Sequence, residues 1–151
     1  HLYVSTDVAD DTDLFVYVVK QDKTGRLLPP IVKGAPFSGE KGTELFVPNG
    51  RLRASSRGLD EMRSTEAEPV LLHAKCEKLE PGKIYRVDIP LWPIGMKVRQ
   101  GQALALIISG YNLNPEEWPQ LPPLPTINKG KLTIHTGGEY CSYLTAPYVE
   151  R

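Results

Sequence analysis

Hydrophobic residues in this chain recur in short runs with the spacing of β-strands. Leu14–Val19 consists of β-branched and aromatic residues and is apolar at both alternating positions, so it predicts a central strand covered on both faces. Ala103–Ile108 has the same pattern and predicts a second strand buried on both faces. These two runs indicate a core built around β-sheet.

Other runs alternate or are shorter. Within Ile84–Ile89, Tyr85, Val87 and Ile89 share one face of the predicted strand, while Arg86 and Asp88 face solvent or a neighbouring element. Further strands are predicted at His1–Thr6, Thr43–Val47, Val70–Ala74, Lys131–His135 and Ser142–Thr145.

The segments between these runs have the chemistry of turns. Asp22–Gly25, Glu80–Lys83 and Arg99–Gln102 each contain a glycine suited to a positive φ, and Glu80–Lys83 fits a type II turn. With 13 Gly and 14 Pro, the one plausible helical piece is a short one around Leu59–Glu66. Short strands separated by turns predict an all-β fold of the β-sandwich type over a single domain.

Residues Pro115–Pro125 contain five prolines and predict an extended loop, because proline cannot donate to a strand ladder. The P-x-x-P spacing leaves open recognition by an SH3 or WW module. Such matches are common, so we interpret the segment as a surface connection that Trp118 anchors.

The overall charge excludes some partners and leaves others. Lys plus Arg and Asp plus Glu number 18 each, so no electrostatic attraction to nucleic acid or to an anionic membrane is expected. The longest apolar run is too short to span a bilayer. Cys76 and Cys141 lack metal-ligand spacing and predict two reduced thiols in an intracellular, cytoplasmic protein, with a single disulfide as the alternative.

Catalytic chemistry finds little support in the sequence. A serine hydrolase needs a nucleophile, a histidine base and an orienting carboxylate, and the G-x-S-x-G motif is absent. The residues that could form a triad are His135 with Ser109 or Ser142. We expect His135 instead to cap a turn or to hydrogen-bond across the sheet. We therefore predict no catalytic residue and no cofactor in this chain.

Two kinds of binding site are compatible with the sequence. The acidic stretch Asp7, Asp10, Asp11 and Asp13 could hold calcium, but it lacks the EF-hand pattern, and we interpret it as a turn rather than a metal site. Trp92, Trp118 and the seven Tyr could stack on sugars in a carbohydrate-binding sandwich, although such aromatic residues more often fill a core or an interface.

The segment around Arg53 and Arg57 is the most motif-like charged part of the chain. We expect at least one of these arginines to fix a loop through hydrogen bonds to carbonyl or carboxylate oxygens, since guanidinium is a rigid fork of donors.

Several segments together resemble the C-terminal domain of X-Pro dipeptidyl-peptidases and cocaine-esterase-like (CocE/NonD) hydrolases. The likeness runs in order along nearly the whole chain. It is carried by Asp10–Val18, Asp22–Gly25, Gly50–Arg57, Leu79–Gly82, Ile89–Pro93, Val98–Gly101, Ile134–Gly138 and Ser142–Leu144.

The resemblance implies a jelly-roll sandwich, similar to galactose-binding domains, attached to an α/β-hydrolase domain that carries the Ser-His-Asp triad. Residues 1–151 would then be a C-terminal domain fragment without its first strand, inert alone, packing on the catalytic domain and helping to shape its substrate cleft. The alternative function is a carbohydrate-binding jelly roll. A sheet edge left open by the missing strand would favour a homodimer.

Overall fold

Short strands joined by turns account for the regular structure of the residues described by the computed structural model, which are 1–34, 41–114 and 125–149. In these residues there are ten β-strands, one 3₁₀ turn at Ala54–Ser56 and no α-helix. The all-β fold of the β-sandwich class predicted from the sequence is confirmed. The closer likeness to galactose-binding domains stays a prediction.

The strands vary from two to nine residues in length. They are β1 Leu2–Thr6, β2 Asp13–Gln21, β3 Leu27–Leu28, β4 Ile31–Val32, β5 Thr43–Glu44, β6 Asn49–Arg53, β7 Tyr85–Val87, β8 Ala103–Ser109, β9 Leu132–Gly137 and β10 Tyr140–Cys141. The chain forms two compact units. One comprises His1–Asp13, Leu52–Pro90 and Ile127–Arg151, and the other comprises Leu14–Arg51 and Leu91–Thr126.

The first unit contains a four-stranded sheet with the order β10-β9-β1-β7. Strand β1 pairs antiparallel with β7 on one side and with β9 on the other. Because side chains alternate across a strand, Leu2, Val4 and Thr6 share one face, and all three are buried. Leu2 lies opposite Val87, which is also buried, so this face belongs to the core of the unit.

The second unit is built around β2. Its Lys20 and Gln21 pair with both β3 and β8, so these two strands lie on opposite sides of β2, and β6 is a further neighbour. From Leu14 to Val19 every residue except Phe15 is buried, which confirms the central strand predicted from the apolar run. Burial on both faces explains why this run shows no polar alternation.

Strand β8 forms where the sequence predicts it, but the predicted burial on both faces is wrong. Leu104 and Leu106 are 46% and 42% exposed. Its backbone pairs with β2 over seven residues, and no other described strand pairs with it. Among the described strands it therefore lies at an edge, and its exposed leucines belong to the face it shares with Lys20 and Val18.

Three shorter predictions need correction. The strand expected at Thr43–Val47 ends at Glu44, and the Phe46 N–H donates to the Asn114 side chain instead of a ladder. The strand expected at Val70–Ala74 is reduced to one bridge between Leu59 and Leu71. His73 has a φ of 53°, a left-handed conformation that ends an extended strand, so it does not sit mid-strand as the pattern indicated.

The chain also departs from the prediction near Ser142 and Asp60, whose side chains compete with secondary structure for backbone hydrogen bonds. Ser142–Thr145 is not a strand, since the Ser142 hydroxyl takes the Tyr3 N–H and donates to the His135 carbonyl. The predicted helix around Leu59–Glu66 is a set of turns. There the Asp60 carboxylate accepts the N–H groups of Met62 and Arg63, an alternative to helix hydrogen bonding.

The three predicted turns are confirmed. Gly25, Gly82 and Gly101 have φ values of 84°, 82° and 81°, a region that glycine enters without steric cost. In the turns at Glu80–Lys83 and Arg99–Gln102, the fourth N–H donates to the first carbonyl at 3.1 Å and 2.9 Å. The first reversal separates β2 from β3, and the other two directly precede β7 and β8.

We predict that Leu14→Ala lowers the free energy of unfolding by about 2–5 kcal/mol, because it removes a fully buried side chain and leaves a cavity beside β2. Urea titration followed by circular dichroism measures the change.

The matched control is Met62→Ala, whose side chain is 97% exposed and whose loss is expected to change stability by less than about 0.5 kcal/mol. Equal effects of the two substitutions would show that β2 is not the centre of the core.

Candidate functional site

Buried carboxylates concentrate in the loop that leads into β2. Asp11 is only 3% exposed. Its Oδ1 accepts the N–H groups of Thr12 and Ser55, each at 2.9 Å, and its Oδ2 lies 3.4 Å from Lys78 Nζ. A buried carboxylate is costly unless such donors surround it. Asp11 therefore ties its own loop to the 3₁₀ turn and to the segment at Lys78.

Asp13, the first residue of β2, makes the second such contact. The Arg53 Nε–H donates to Asp13 Oδ1 at 2.8 Å, and a terminal N–H of the same guanidinium donates to Asp13 Oδ2 at 3.1 Å. The two side chains thus form a bidentate pair. The Ile127 N–H donates to the same carboxylate at 3.1 Å. The hydrogen bond to a carboxylate expected of Arg53 is thus present.

Asn128 completes this arrangement from the other side of the loop. Its side-chain N–H₂ donates to the Asp13 carbonyl at 3.0 Å, and its Oδ1 accepts from the Thr12 hydroxyl at 3.0 Å. Single-sequence reasoning missed Asn128, because its distance from Asp13 along the chain gives no local pattern.

The acidic stretch does not converge on a common point. Asp7 accepts the Lys131 N–H at 2.7 Å, while Asp11 and Asp13 face N–H and cationic groups, and the Asp10 side chain is 69% exposed. In the described part of the chain, no cluster of three or more His, Cys, Asp or Glu side chains is arranged to hold a metal ion. Hydrogen bonds to N–H groups account for the placement of Asp7, Asp11 and Asp13.

The surroundings of Asp11 change its acidity. Burial acts to raise the pKa of Asp11, but the hydrogen bonds from Ser55 and Thr12 and the nearby Lys78 outweigh it, so the pKa lies below its ordinary value of 3.8. A lowered pKa in the folded state means that the ionised carboxylate stabilises the fold. The stabilisation is complete above the unfolded pKa and is lost as the pH falls through the folded one.

Arg57 fixes a neighbouring loop. It donates to the carbonyl oxygens of Ala54 and Glu77, and its guanidinium lies 3.3 Å from the Glu77 carboxylate. The same group stacks over the Tyr85 ring, 4.7 Å from the ring centre. The backbone contacts predicted for this arginine are present.

His135 bonds across the first sheet. Its Nε2 is 2.9 Å from the Ser5 hydroxyl on β1, as expected for a histidine that hydrogen-bonds between strands. Ser142 contacts the His135 backbone carbonyl rather than the ring, and Ser109 accepts the Tyr111 N–H. In the described residues no carboxylate hydrogen-bonds the His135 ring, so the ring lacks the orienting group of a catalytic triad.

A second cluster of charged residues surrounds His1, and the sequence pattern did not predict it. His1 Nδ1 lies 2.6 Å from Asp88 Oδ1, and its Nε2 lies 2.9 Å from the Glu66 carbonyl. Arg86 Nε donates to the Asp88 carboxylate at 3.0 Å, and the imidazole stacks on Tyr143. The alternation within Ile84–Ile89 predicted that Asp88 faces either solvent or a neighbouring element. In the structure Asp88 contacts His1 and Arg86.

Large apolar side chains remain exposed in the second unit. Trp92 is 77% exposed, and its backbone N–H donates to the Asn49 carbonyl at 3.0 Å. Trp118 and most of the proline-rich segment, with its P-x-x-P spacing, lie outside the described residues. The exposed set in this unit comprises Ile31, Trp92, Ile94, Val98, Leu104, Leu106 and Tyr111.

Comparison with known proteins agrees with this geometry. The model of the X-Pro dipeptidyl-peptidase C-terminal non-catalytic domain matches residues 1–145. The chain belongs to this family. The resemblance stated from the sequence motifs is thereby confirmed, as is the non-catalytic character of the domain.

Two crystal structures of a CocE/NonD family hydrolase from Staphylococcus aureus are similar to this C-terminal non-catalytic domain. Each is 34% identical, with a TM-score of 0.79, over 93% of this chain. The domain spans about a quarter of the length of that hydrolase chain. A search of curated proteins gave no match. None of the described helical segments is long and apolar enough to cross a membrane.

We predict that Asp11→Ala lowers the free energy of unfolding by about 1–3 kcal/mol at neutral pH, since it leaves the buried N–H groups of Thr12 and Ser55 without an acceptor. The part of this effect due to ionisation disappears as the pH falls below 3.8, the ordinary pKa of the carboxyl. Urea titrations at several pH values measure it.

Asp10→Ala is the control for that substitution, because its exposed carboxylate only approaches Lys78, at 3.6 Å. A change below about 0.5 kcal/mol is expected for it. If both variants lose the same stability at every pH, the buried network is not the anchor of the loop.

Proposed function

We propose that this chain is a single C-terminal domain, residues 1–151, that packs on the catalytic α/β-hydrolase domain of its parent and helps to shape the substrate cleft. The family match over residues 1–145 carries the proposal, together with the fact that the matched hydrolase chain is about four times as long. The parent would cleave esters, amides or Xaa-Pro peptides with a serine nucleophile that lies in its catalytic domain.

Exposed apolar side chains support the packing role. A domain that functioned alone would gain little from leaving Trp92, Ile94, Leu104 and Leu106 in water. We assign Trp92 to the interface; Trp118, which the sequence also suggested for this role, lies outside the described residues. Arg53, Arg57 and His135 are structural residues in this proposal, because their contacts lie within the first unit.

The second candidate is a carbohydrate-binding module, and the exposed indole of Trp92 favours it, since flat aromatic faces stack on sugar rings. Two exposed neighbours, Ile94 and Val98, are aliphatic and offer no hydrogen bonds to sugar hydroxyls. These aliphatic surroundings of Trp92 fit a protein interface better than a sugar-binding site.

A cytoplasmic location is proposed for the parent. Cys76 and Cys141 are both free and exposed, and unpaired thiols of this kind persist in reducing compartments.

We predict that the chain alone hydrolyses neither p-nitrophenyl esters nor Xaa-Pro amides. Deleting it from the parent lowers kcat/KM by about a hundredfold, since small displacements in a cleft misalign substrate. Labelling with a fluorophosphonate serves as the control, because it reports whether the catalytic serine of the truncated parent is still reactive.

Retained labelling with lost turnover is the result that supports a role in shaping the cleft. Unchanged kcat/KM after deletion, or turnover by this chain that a serine reagent abolishes, would contradict the proposal.

We also propose that the chain, taken alone, forms a two-fold homodimer through its exposed apolar surface. A two-fold contact brings the same basic residues, among them Lys97 and Arg99, from both copies together. Added salt screens their repulsion, so we expect the mass measured by light scattering to increase with protein concentration and, at fixed concentration, with salt. A monomer mass under all conditions would contradict this.

A further inference from the structure

Strand β8 combines two features that rarely stay uncovered in a stable protein. Its outer edge pairs with no described strand over seven residues, and unpaired N–H and C=O groups on such an edge tend to attract another chain. Its Leu104 and Leu106 side chains are also exposed. The apolar pattern of this strand is that of a buried one, which points to a covering element beyond the described residues.

The segment at 92–98 extends this exposed region. Lys20 lies directly opposite Leu104 in the ladder, so their side chains share a face of the sheet. Lys20 Nζ donates to the Lys97 carbonyl at 3.4 Å, which sets this segment beside that face. We define the β8 surface as Leu104 and Leu106 together with the exposed side chains of Ile94 and Val98.

The charged residues in the segments that form the β8 surface are basic. Residues 91–114 include Lys97 and Arg99 and no acidic residue, and Lys20 adds a third cation. A complementary partner therefore presents an apolar patch rimmed by carboxylates. A second copy would bring the same cations together, which is unfavourable at low salt.

The loop after β8 is held in place from the opposite face of the sheet. The Tyr17 hydroxyl donates to the Asn112 side chain at 3.0 Å and accepts the Leu113 N–H at 2.8 Å. Tyr17 alternates with Val18, so it points away from the β8 surface. The end of β8 is thus anchored without any contribution from the exposed leucines, which leaves their face available for a partner.

We propose that the β8 surface is where this domain docks onto the rest of its parent hydrolase chain, against an apolar patch with a carboxylate rim. The inference rests on the proposed function and adds the surface and the chemistry of its partner. In the matched hydrolase about three quarters of the chain lies outside the region equivalent to this domain, which is ample to supply such a patch.

Hydrogen–deuterium exchange of this chain at low concentration and of the intact parent tests the assignment. We expect the amides of residues 92–98 and 103–109 to exchange about tenfold more slowly in the parent. Slower exchange in other parts of this domain but not in these two segments would overturn the β8 surface and leave the packing role intact. No change anywhere in the domain would contradict both proposals.

Variants separate direct docking from general destabilisation. Leu104→Glu combined with Leu106→Glu in the parent should abolish the protection, because it places carboxylates against the carboxylate rim. Lys97→Glu should weaken the protection, and Lys97→Arg should keep it. Met62→Glu, at an exposed apolar site in the first unit, is the matched control.

Loss of protection with Met62→Glu as well would overturn the proposal. So would protection in the parent that increases with concentration, because a second copy would then be the occupant.

Discussion

The requirement that buried carboxylates be surrounded by donors organises the loop before β2. Asp11 and Asp13 are buried. An isolated charge in such a position would cost far more free energy than the fold gains. Their acceptor atoms take N–H groups from Thr12, Ser55 and Ile127 and the guanidinium of Arg53. Three stretches that are distant in sequence are thereby held at one point, at the start of the longest strand.

The position at which β2 begins depends on these contacts. Because Asp13 is both its first residue and the acceptor of the bidentate arginine, the beginning of the strand is fixed relative to the 3₁₀ turn at Ala54–Ser56. The Ala54 N–H donates to the Thr12 carbonyl at 2.8 Å, which adds a backbone bond to the same junction. Along β2, Leu14 lies on one face and Tyr17 and Val19 lie on the other, and all three side chains are buried.

Local patterns predicted the parts of the fold that depend on local physics. The apolar run of β2 and the glycine turns required only side-chain size and backbone freedom. The predictions failed where distant side chains compete for the backbone, as Asn114 does at Phe46 and Ser142 does at Tyr3. Of the candidate site, the sequence identified Arg53 and Arg57 by residue type, but their partners at Asp13 and Glu77 depend on tertiary contacts.

The mismatch at β8 has a different origin. The hydrophobic pattern of β8 is that of a strand covered on both faces, whereas this chain leaves Leu104 and Leu106 on one face exposed. In the first unit, the charges of Asp11, Asp13 and Asp88 are neutralised by groups of the same chain. The apolar face of β8 finds no such cover among the described residues. An interior whose carboxylates are paired within the chain, beside an exposed apolar face on β8, is consistent with the docking role that we propose for that face.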